Sequence, residues 1–337
     1  MNLVTGGAGH LGNVLVRELI YRGEAVRVLV LPGEDTRSLA GLNVELVEGD
    51  VMDFDSLIRA MHHVDVVFHL AALVSITEDK AYLLEEVNVE GTRNVIEAAK
   101  ICKVKKMVYT SSIHALERPP VGVSITEQCA FDPNNPAGPY DRTKAKASLL
   151  VKSAAEEGFE TCIVCPTGVI GPYDFRRSEM GELILSFMQK RLNILIEGAF
   201  DFVDVRDVAE GQILARDYGK SGETYILGGE RIELKWLHKL VKKITGKETK
   251  PITFSLPIAM IIAPMAEFYY KITKTKPRIT RYSIETVSSN SNISYEKAKN
   301  ELGYQPRSLT KSVMDTVRWW LKNLGLTKRS LRLQKSK

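Results

Sequence analysis

The chain has 337 residues, 44% of them apolar, and a formal net charge of +5. That length and composition fit a globular protein with a large core, in one large or two coupled domains, and exclude a disordered chain. Part of the positive charge sits in the closing run Lys328-Arg329-Ser330-Leu331-Arg332-Leu333-Gln334-Lys335-Ser336-Lys337, so the rest is near neutral and has no footprint for nucleic acid.

In chain order, a short apolar segment, Asn2-Leu3-Val4, reads as a strand. Thr5-Gly6-Gly7-Ala8-Gly9-His10-Leu11-Gly12 follows, and then an amphipathic run from Val14 to Tyr21. This is strand, tight glycine turn, helix. Gly6 allows the turn, Gly9 lets backbone approach a pyrophosphate, and Gly12 lets the helix pack on the strand. The helix N-terminus offers N–H groups and a positive dipole end to phosphates. A first strand starting at about residue 2 leaves no room for a leader, so a cytoplasmic protein is expected.

Strands at 26–31, 44–50, 64–70, 106–111 and 161–165 then alternate with helices at 55–61, 82–102 and 140–158. The alternation predicts an α/β protein, a Rossmann-type doubly wound parallel sheet covered on both faces. A ligand is expected beyond the carboxyl ends of the strands, where the strand order reverses. After about residue 171 the pattern loosens. A helix is expected at 182–191, another starting at 202 and returning to the sheet, and a strand at 224–229. From 230 the chain reads as mainly helical, with Pro251, Pro257, Pro264 and Pro277 as breakers.

The expected domains are therefore interleaved. Residues 1–170 form a dinucleotide-binding domain to which 202–229 return. Residues 171–201 and 230–325 form a smaller, mainly helical substrate-binding cap, and 326–337 a frayed basic tail. The most apolar stretch, 256–266, is about half the length that crosses a bilayer. Core, substrate pocket and membrane surface all remain open for it. Cys162 and Cys165 have C-x-x-C spacing, but on a strand residues three apart face opposite ways. With Cys102 and Cys129 they are read as reduced thiols, and no metal site is expected.

Chemistry concentrates in two segments, Val108-Tyr109-Thr110-Ser111-Ser112 and Tyr140-Asp141-Arg142-Thr143-Lys144. Tyr140 and Lys144 are four apart, one helical turn above each other. A phenol is a poor acid or base at neutral pH, and a nearby ammonium favours its phenolate. A serine at the neighbouring strand end can hold the same substrate oxygen. Together they suit proton transfer to or from a carbonyl or alcohol oxygen while a nicotinamide at the glycine turn handles hydride.

Over roughly residues 1–325 the sequence resembles the extended short-chain dehydrogenase/reductases. Its T-G-x-x-G-x-x-G pattern falls on Thr5 to Gly12, which implies cofactor contacts at Gly6, Gly9, His10, Leu11 and Gly12. The acid after the third strand falls on Asp50, implying an adenine contact flanked by Val51. The H-x-A-A segment, His69 with Leu70, Ala71 and Ala72, is implied to run beside the cofactor, as is Asn88 of N-V-x-G-T-x-N. The resemblance places the catalytic residues on Ser112, Tyr140 and Lys144, with Ser111 as the alternative serine. It places the nicotinamide loop on Pro166, Thr167, Gly168 and Val169. Nucleotide-sugar enzymes carry Arg and Asn where this chain has Cys165 and Gly168. The sequence is closer to the dihydroflavonol-4-reductase and 3β-hydroxysteroid dehydrogenase branch, as are 256–267 and Lys276-Pro277-Arg278-Ile279-Thr280.

NAD enzymes place an acid at the end of the second strand. Leu31 stands there, followed by Pro32 and Gly33, while Arg37 is within reach of a 2′-phosphate beside Glu34 and Asp35. NADP(H) is therefore favoured over NAD(H). Read this way, the chain is an NAD(P)(H)-dependent oxidoreductase interconverting a ketone or aldehyde and an alcohol on a small apolar or aromatic molecule. A nucleotide-sugar epimerase or dehydratase with tightly bound NAD and a non-catalytic dinucleotide sensor are the alternatives. No residues for a coupled steroid isomerase stand out. His114 is a candidate substrate contact beside Ser112 and Tyr140. His62 and His63 read as solvated, Asp204, Arg206 and Asp207 as structural, and Trp319 and Trp320 as core. The resemblance also implies a homodimer through the helices at 82–102 and 140–158.

Overall fold

The computed structural model describes residues 1–75, 78–189, 193–246, 249–273 and 281–325. The basic tail and the segment Lys276 to Thr280 lie outside them. The elements run β1 Asn2–Thr5, α1 His10–Tyr21, β2 Val26–Val30, β3 Glu45–Glu48, α2 Phe54–Ala60, β4 Val66–His69, α3 Ala81–Leu84, α4 Gly91–Ile101, β5 Lys106–Thr110, α5 Pro139–Glu156, β6 Thr161–Pro166 and β7 Gly168–Ile170. They continue α6 Glu179–Gln189, β8 Ile194–Ile196, β9 Ala199–Asp204, α7 Val205–Tyr218, β10 Thr224–Leu227, β11 Glu230–Glu233, α8 Leu234–Thr245, β12 Ile252–Phe254, α9 Leu256–Thr273, α10 Arg281–Ser288, α11 Glu296–Leu302 and α12 Leu309–Asn323.

Seven strands form one parallel sheet in the order β10-β6-β5-β4-β1-β2-β3. Each strand feeds alternate side chains to opposite faces. Leu3, Leu29, Val67, Met107 and Ile163 belong to one buried layer; Val4, Val28, Phe68, Val108 and Val164 belong to the other. Helices α1 and α7 cover one face, and α2, α4 and α5 the other. Cys162 and Cys165 fall in different layers, both fully buried, and all four cysteines are free thiols. The strand order reverses between β1 and β4, which puts the crevice above their carboxyl ends.

Three expectations are corrected. The helix expected at 82–102 is α3 and α4 joined by a π-helical turn, Glu85–Glu90. There Thr92 Oγ1 donates to the Asn88 carbonyl (2.7 Å) and the Asn88 side chain turns to Leu73. The helix expected from 202 starts at Val205, where Asp204 caps it by accepting from Arg206 N at 2.8 Å. Residues 199–204 are instead the fully buried strand β9, sandwiched between β7 and β11. Pro264 does not break a helix; α9 runs through it. Strands of three or four residues such as β8, β11 and β12 are too short to show a period.

Asp204, Arg206 and Asp207 pin the returning chain. Arg206 bridges Asp204 (2.7 Å) and Asp315 (3.0 Å), while Arg307 reaches Asp207 at 2.7 Å. Trp320 is buried, and Trp319 packs against Phe175 and Tyr173. Among the described residues no helix is long and apolar enough to cross a membrane.

Candidate active site

The glycine turn closes over the end of β4. Gly6 has φ +69°, and a Cβ there would lie 2.8 Å from the Ala71 nitrogen. A Cβ on Gly12 would lie 2.2 Å from the Gly6 carbonyl oxygen. Gly9 is different: the space around it is open except for that same oxygen at 3.2 Å, and it starts α1 without any side-chain cap. An uncapped helix N-terminus beside a bare backbone fits a diphosphate. His10 donates through Nε2 to the Pro172 carbonyl at 3.0 Å, tying the turn to the loop after β7. Leu11 is half-buried one residue on.

Beneath the turn runs a chain of buried hydrogen bonds. The Leu70 and Ala71 amides donate to Thr5 Oγ1 at 3.2 and 3.1 Å. Thr5 Oγ1 donates to His69 Nδ1 at 2.7 Å, and His69 Nε2 donates to Thr92 Oγ1 at 3.0 Å. The direction follows because Thr92 spends its own proton on the Asn88 carbonyl. Burial, with Lys144 nearby, pushes the His69 pKa down to about 3, so the ring is neutral. Asn88 also accepts from Leu73 N (2.8 Å) and donates to Leu73 O (3.0 Å) and Thr143 Oγ1 (3.1 Å). Its side chain is thus spent on holding 70–73 in place. Thr5 and Thr92 gave no signal of this role in the sequence.

Ser112 and Tyr140 stand side by side. Ser112 Oγ also accepts from His114 N at 3.2 Å. Ser111 faces the other way, donating to Ser148 Oγ at 2.6 Å. Lys144 is buried; its Nζ donates to the Thr110 carbonyl at 2.5 Å and lies 4.3 Å from the centre of the Tyr109 ring. Burial lowers the Lys144 pKa to about 7. Burial raises the Tyr140 phenol, as does the Asp141 carboxylate, while the Ser112 hydroxyl opposes them. Cys165 is fully buried, and burial pushes its thiol up to about 12, with Ser111 opposing the shift.

Asp141, beside Tyr140, is another residue that sequence reasoning passed over. It is fully buried and accepts from Arg118 Nη2 (2.9 Å) and from the Tyr282 hydroxyl (2.9 Å) of α10. Arg118 also donates to His114 Nδ1 at 3.1 Å, and His114 stacks on Phe200 at 5.5 Å. Burial raises the Asp141 pKa to about 6 and, with Arg118, lowers that of His114 to about 3. A stretch 141 positions downstream (282 − 141) thus anchors the helix that carries Tyr140.

The adenosine end departs from expectation. Leu31-Pro32-Gly33-Glu34 is a tight turn: Glu34 N donates to Leu31 O at 3.0 Å, and Gly33 has φ +73°. It folds the Glu34 carboxylate back onto the Leu31 amide (3.0 Å), at the end of β2, where Arg176 pairs with it at 2.6 Å. The end of β2 therefore does carry an acid, contrary to the premise behind the NADP(H) preference. Arg37 is paired with Asp35 at 2.7 Å. Asp50 caps its own turn through the Met52 amide (3.0 Å), and Val51 is buried under Gly91. A Cβ on Gly168 would strike the Phe202 ring at 2.6 Å, so glycine is required where β7 passes β9; Pro166, Thr167 and Val169 flank it. Ala72 is half-buried after Ala71.

Residues 2–228 match the model of the NAD dependent epimerase/dehydratase family. The chain belongs to that family. It is 36% identical over 322 residues to sterol demethylase protein B of Methylococcus capsulatus, covering 94% of this chain and 97% of that protein. It is 32% identical over 337 residues to a putative dihydroflavonol 4-reductase of Synechocystis, covering 96% and 95%. Among solved structures, UDP-glucose 4-epimerase of Thermotoga maritima with UDP-glucose superposes with a TM-score of 0.77 at 26% identity, covering 96% of this chain and all of that one. Membership in the family supports an enzyme and a bound dinucleotide. The open glycine turn, the uncapped α1 and the buried Lys144 fit one.

Proposed function

We propose that this family member is an oxidoreductase that interconverts a ketone or aldehyde and an alcohol on a small apolar or aromatic substrate. The observation that carries the reading is the convergence of Ser112 and Tyr140, with buried Lys144 one helical turn away donating its Nζ to the Thr110 carbonyl. When bound, a nicotinamide supplies or accepts the hydride. Ser112 orients the substrate oxygen. Tyr140, held protonated by its burial, gives that oxygen a proton in reduction. Charged Lys144 stabilises the phenolate that remains. Asp141, Arg118 and Tyr282 hold the start of α5 and so position Tyr140.

The cofactor proposed is NAD(H), because Glu34 stands at the end of β2 where a ribose diol is recognised and a 2′-phosphate is repelled. The test is oxidation of NADH and NADPH, followed by absorbance, over a panel of ketones and aldehydes. Wild type should turn over with NADH preferred. Tyr140→Phe should lose about a hundredfold or more in kcat while still binding cofactor. Glu34→Ala should raise the NADPH to NADH ratio of kcat/KM by about tenfold. Cofactor binding without turnover of any carbonyl would move the reading to the epimerase or dehydratase alternative. That alternative is favoured by the likeness to UDP-glucose 4-epimerase and would show NAD retained through purification. Loss of cofactor binding altogether would sink both.

A further inference from the structure

The end of β2, where a dinucleotide's adenosine ribose is recognised, gathers Glu34, Asp35, Arg37 and Arg176. Arg37 is spent. Its Nε and Nη2 hold the Asp35 carboxylate at 3.0 and 2.7 Å, and its side chain is 82% exposed. Arg176 comes from another part of the chain, on the strap of residues 171–178 between β7 and α6. Its Nη2 donates to Glu34 Oε1 at 2.6 Å and to the Asp35 carbonyl at 3.2 Å. Among the described residues nothing accepts from its Nε or Nη1.

An exposed ion pair alone says little, but the strap that delivers Arg176 is fixed along its length. His10 Nε2 and Asn13 Nδ2 of α1 donate to the carbonyls of Pro172 and Tyr173 at 3.0 and 3.1 Å. The Arg17 guanidinium lies 4.7 Å from the centre of the Tyr173 ring. These three residues recur at helical spacing, so the strap docks along one stripe of α1 that starts at its N-terminus, the expected seat of the diphosphate. Tyr173 and Phe175 also pack on Trp319 of α12, and buried Asp174 accepts from Ser178 N and Oγ at the entry to α6. Arg176 is thus held beside the adenosine end by the same strap that touches the start of α1.

Glu34 is therefore a shared acid: one oxygen holds the Leu31 amide at 3.0 Å and the other holds Arg176. A carboxylate so paired still accepts from a ribose hydroxyl. A 2′-phosphate, with about −1.5 to −2 of charge at neutrality, is repelled by a bare carboxylate. Here a guanidinium stands one hydrogen bond from that carboxylate, and its planar fork suits phosphate oxygens. We propose that Arg176 determines how far this protein accepts a 2′-phosphate: it binds the phosphate of NADP(H) in place of Glu34, and stays paired with Glu34 when NAD(H) is bound. The proposal rests on the reading of Glu34 and the glycine turn as the dinucleotide site. It adds NADP(H) as a second, weaker cofactor, held from the strap and not from the strand end.

The experiment is calorimetric titration of the full-length protein with NADH and with NADPH, no carbonyl substrate present. Wild type should bind both, NADH more tightly. Arg176→Gln should weaken NADPH about tenfold and NADH by less than about twofold. Arg176→Lys, which keeps the charge without the fork, should recover part of the NADPH affinity. Arg177→Gln removes the same charge one position along, where the side chain faces Glu182 at 3.7 Å, and should leave both affinities unchanged. The proposal is overturned if wild type does not bind NADPH, if Arg176→Gln leaves NADPH affinity as it was, or if Arg176→Gln weakens both dinucleotides equally, which marks a support of the strap alone. It is also overturned if Arg177→Gln matches Arg176→Gln, since net charge then suffices. Should Arg176→Gln have no effect while Glu34→Ala still shifts binding toward NADPH, this proposal falls and the reading of Glu34 stands. Binding of neither dinucleotide to wild type overturns both.

Discussion

Lys144 shows what the site costs the fold. Its ammonium is buried with a carbonyl and an aromatic face for company, and its pKa falls from the usual lysine range to about 7. The folded pKa is lowered, so the unfolded chain holds the extra proton between about pH 7 and the ordinary lysine value. Stability conferred at this position therefore rises with pH across that window and is lowest below it. Lys144→Met should stabilise the protein at about pH 6 by on the order of 2 kcal/mol, with the gain gone by about pH 10, while turnover is lost. Paired thermal melts of variant and wild type at the two pH values measure it; a gain that does not shrink with rising pH would refute the argument. Tyr140 and Lys144 were legible from their four-residue spacing. Their surroundings were not, because Asp141, Arg118 and Tyr282 meet only in three dimensions, and a lone acid on a helix is ordinarily solvated.

At the scale of elements, β1, β4 and the π turn before α4 are joined by one set of hydrogen bonds with a single direction. His69 accepts from Thr5 and donates to Thr92. Its folded pKa is lowered to about 3, so its contribution is present above the ordinary histidine value and is lost as pH falls from there toward about 3. His69→Phe leaves Thr5 and Thr92 short of a partner and should cost about 2 kcal/mol near neutrality. The gap between variant and wild type should narrow in acid, as read by urea unfolding at several pH values. A constant gap would show that the ring matters only for packing. The strands of this frame were readable because each carries an apolar pattern flanked by turn residues. The π turn was not, because helical periodicity does not register one extra residue per turn, and β9 was mistaken for the start of a helix because its acid, Asp204, is also the cap of α7.

For the whole molecule, the doubly wound sheet followed from the alternation of elements, and the seven-strand order agrees with it. The expected homodimer through the helices at 82–102 and 140–158 becomes a testable surface. Tyr82 and Leu83 on α3 and Leu149 on α5 are exposed, and these helices pack together. Leu149→Arg should convert a dimer to a monomer by light scattering, without altering secondary structure; a wild type already monomeric at all concentrations ends that idea. The link between Tyr282 and Asp141 has a further consequence, for the order in which the protein is made. A ribosome releases the glycine turn and the helix bearing Tyr140 long before it reaches position 282. Until then the Asp141 carboxyl lacks its hydroxyl donor. A nascent chain stopped after β10 therefore holds every element of the central sheet but not the hydroxyl that meets Asp141, so assembly of the sheet and its glycine turn precedes, by about fifty residues of synthesis, the anchoring of the helix that carries Tyr140.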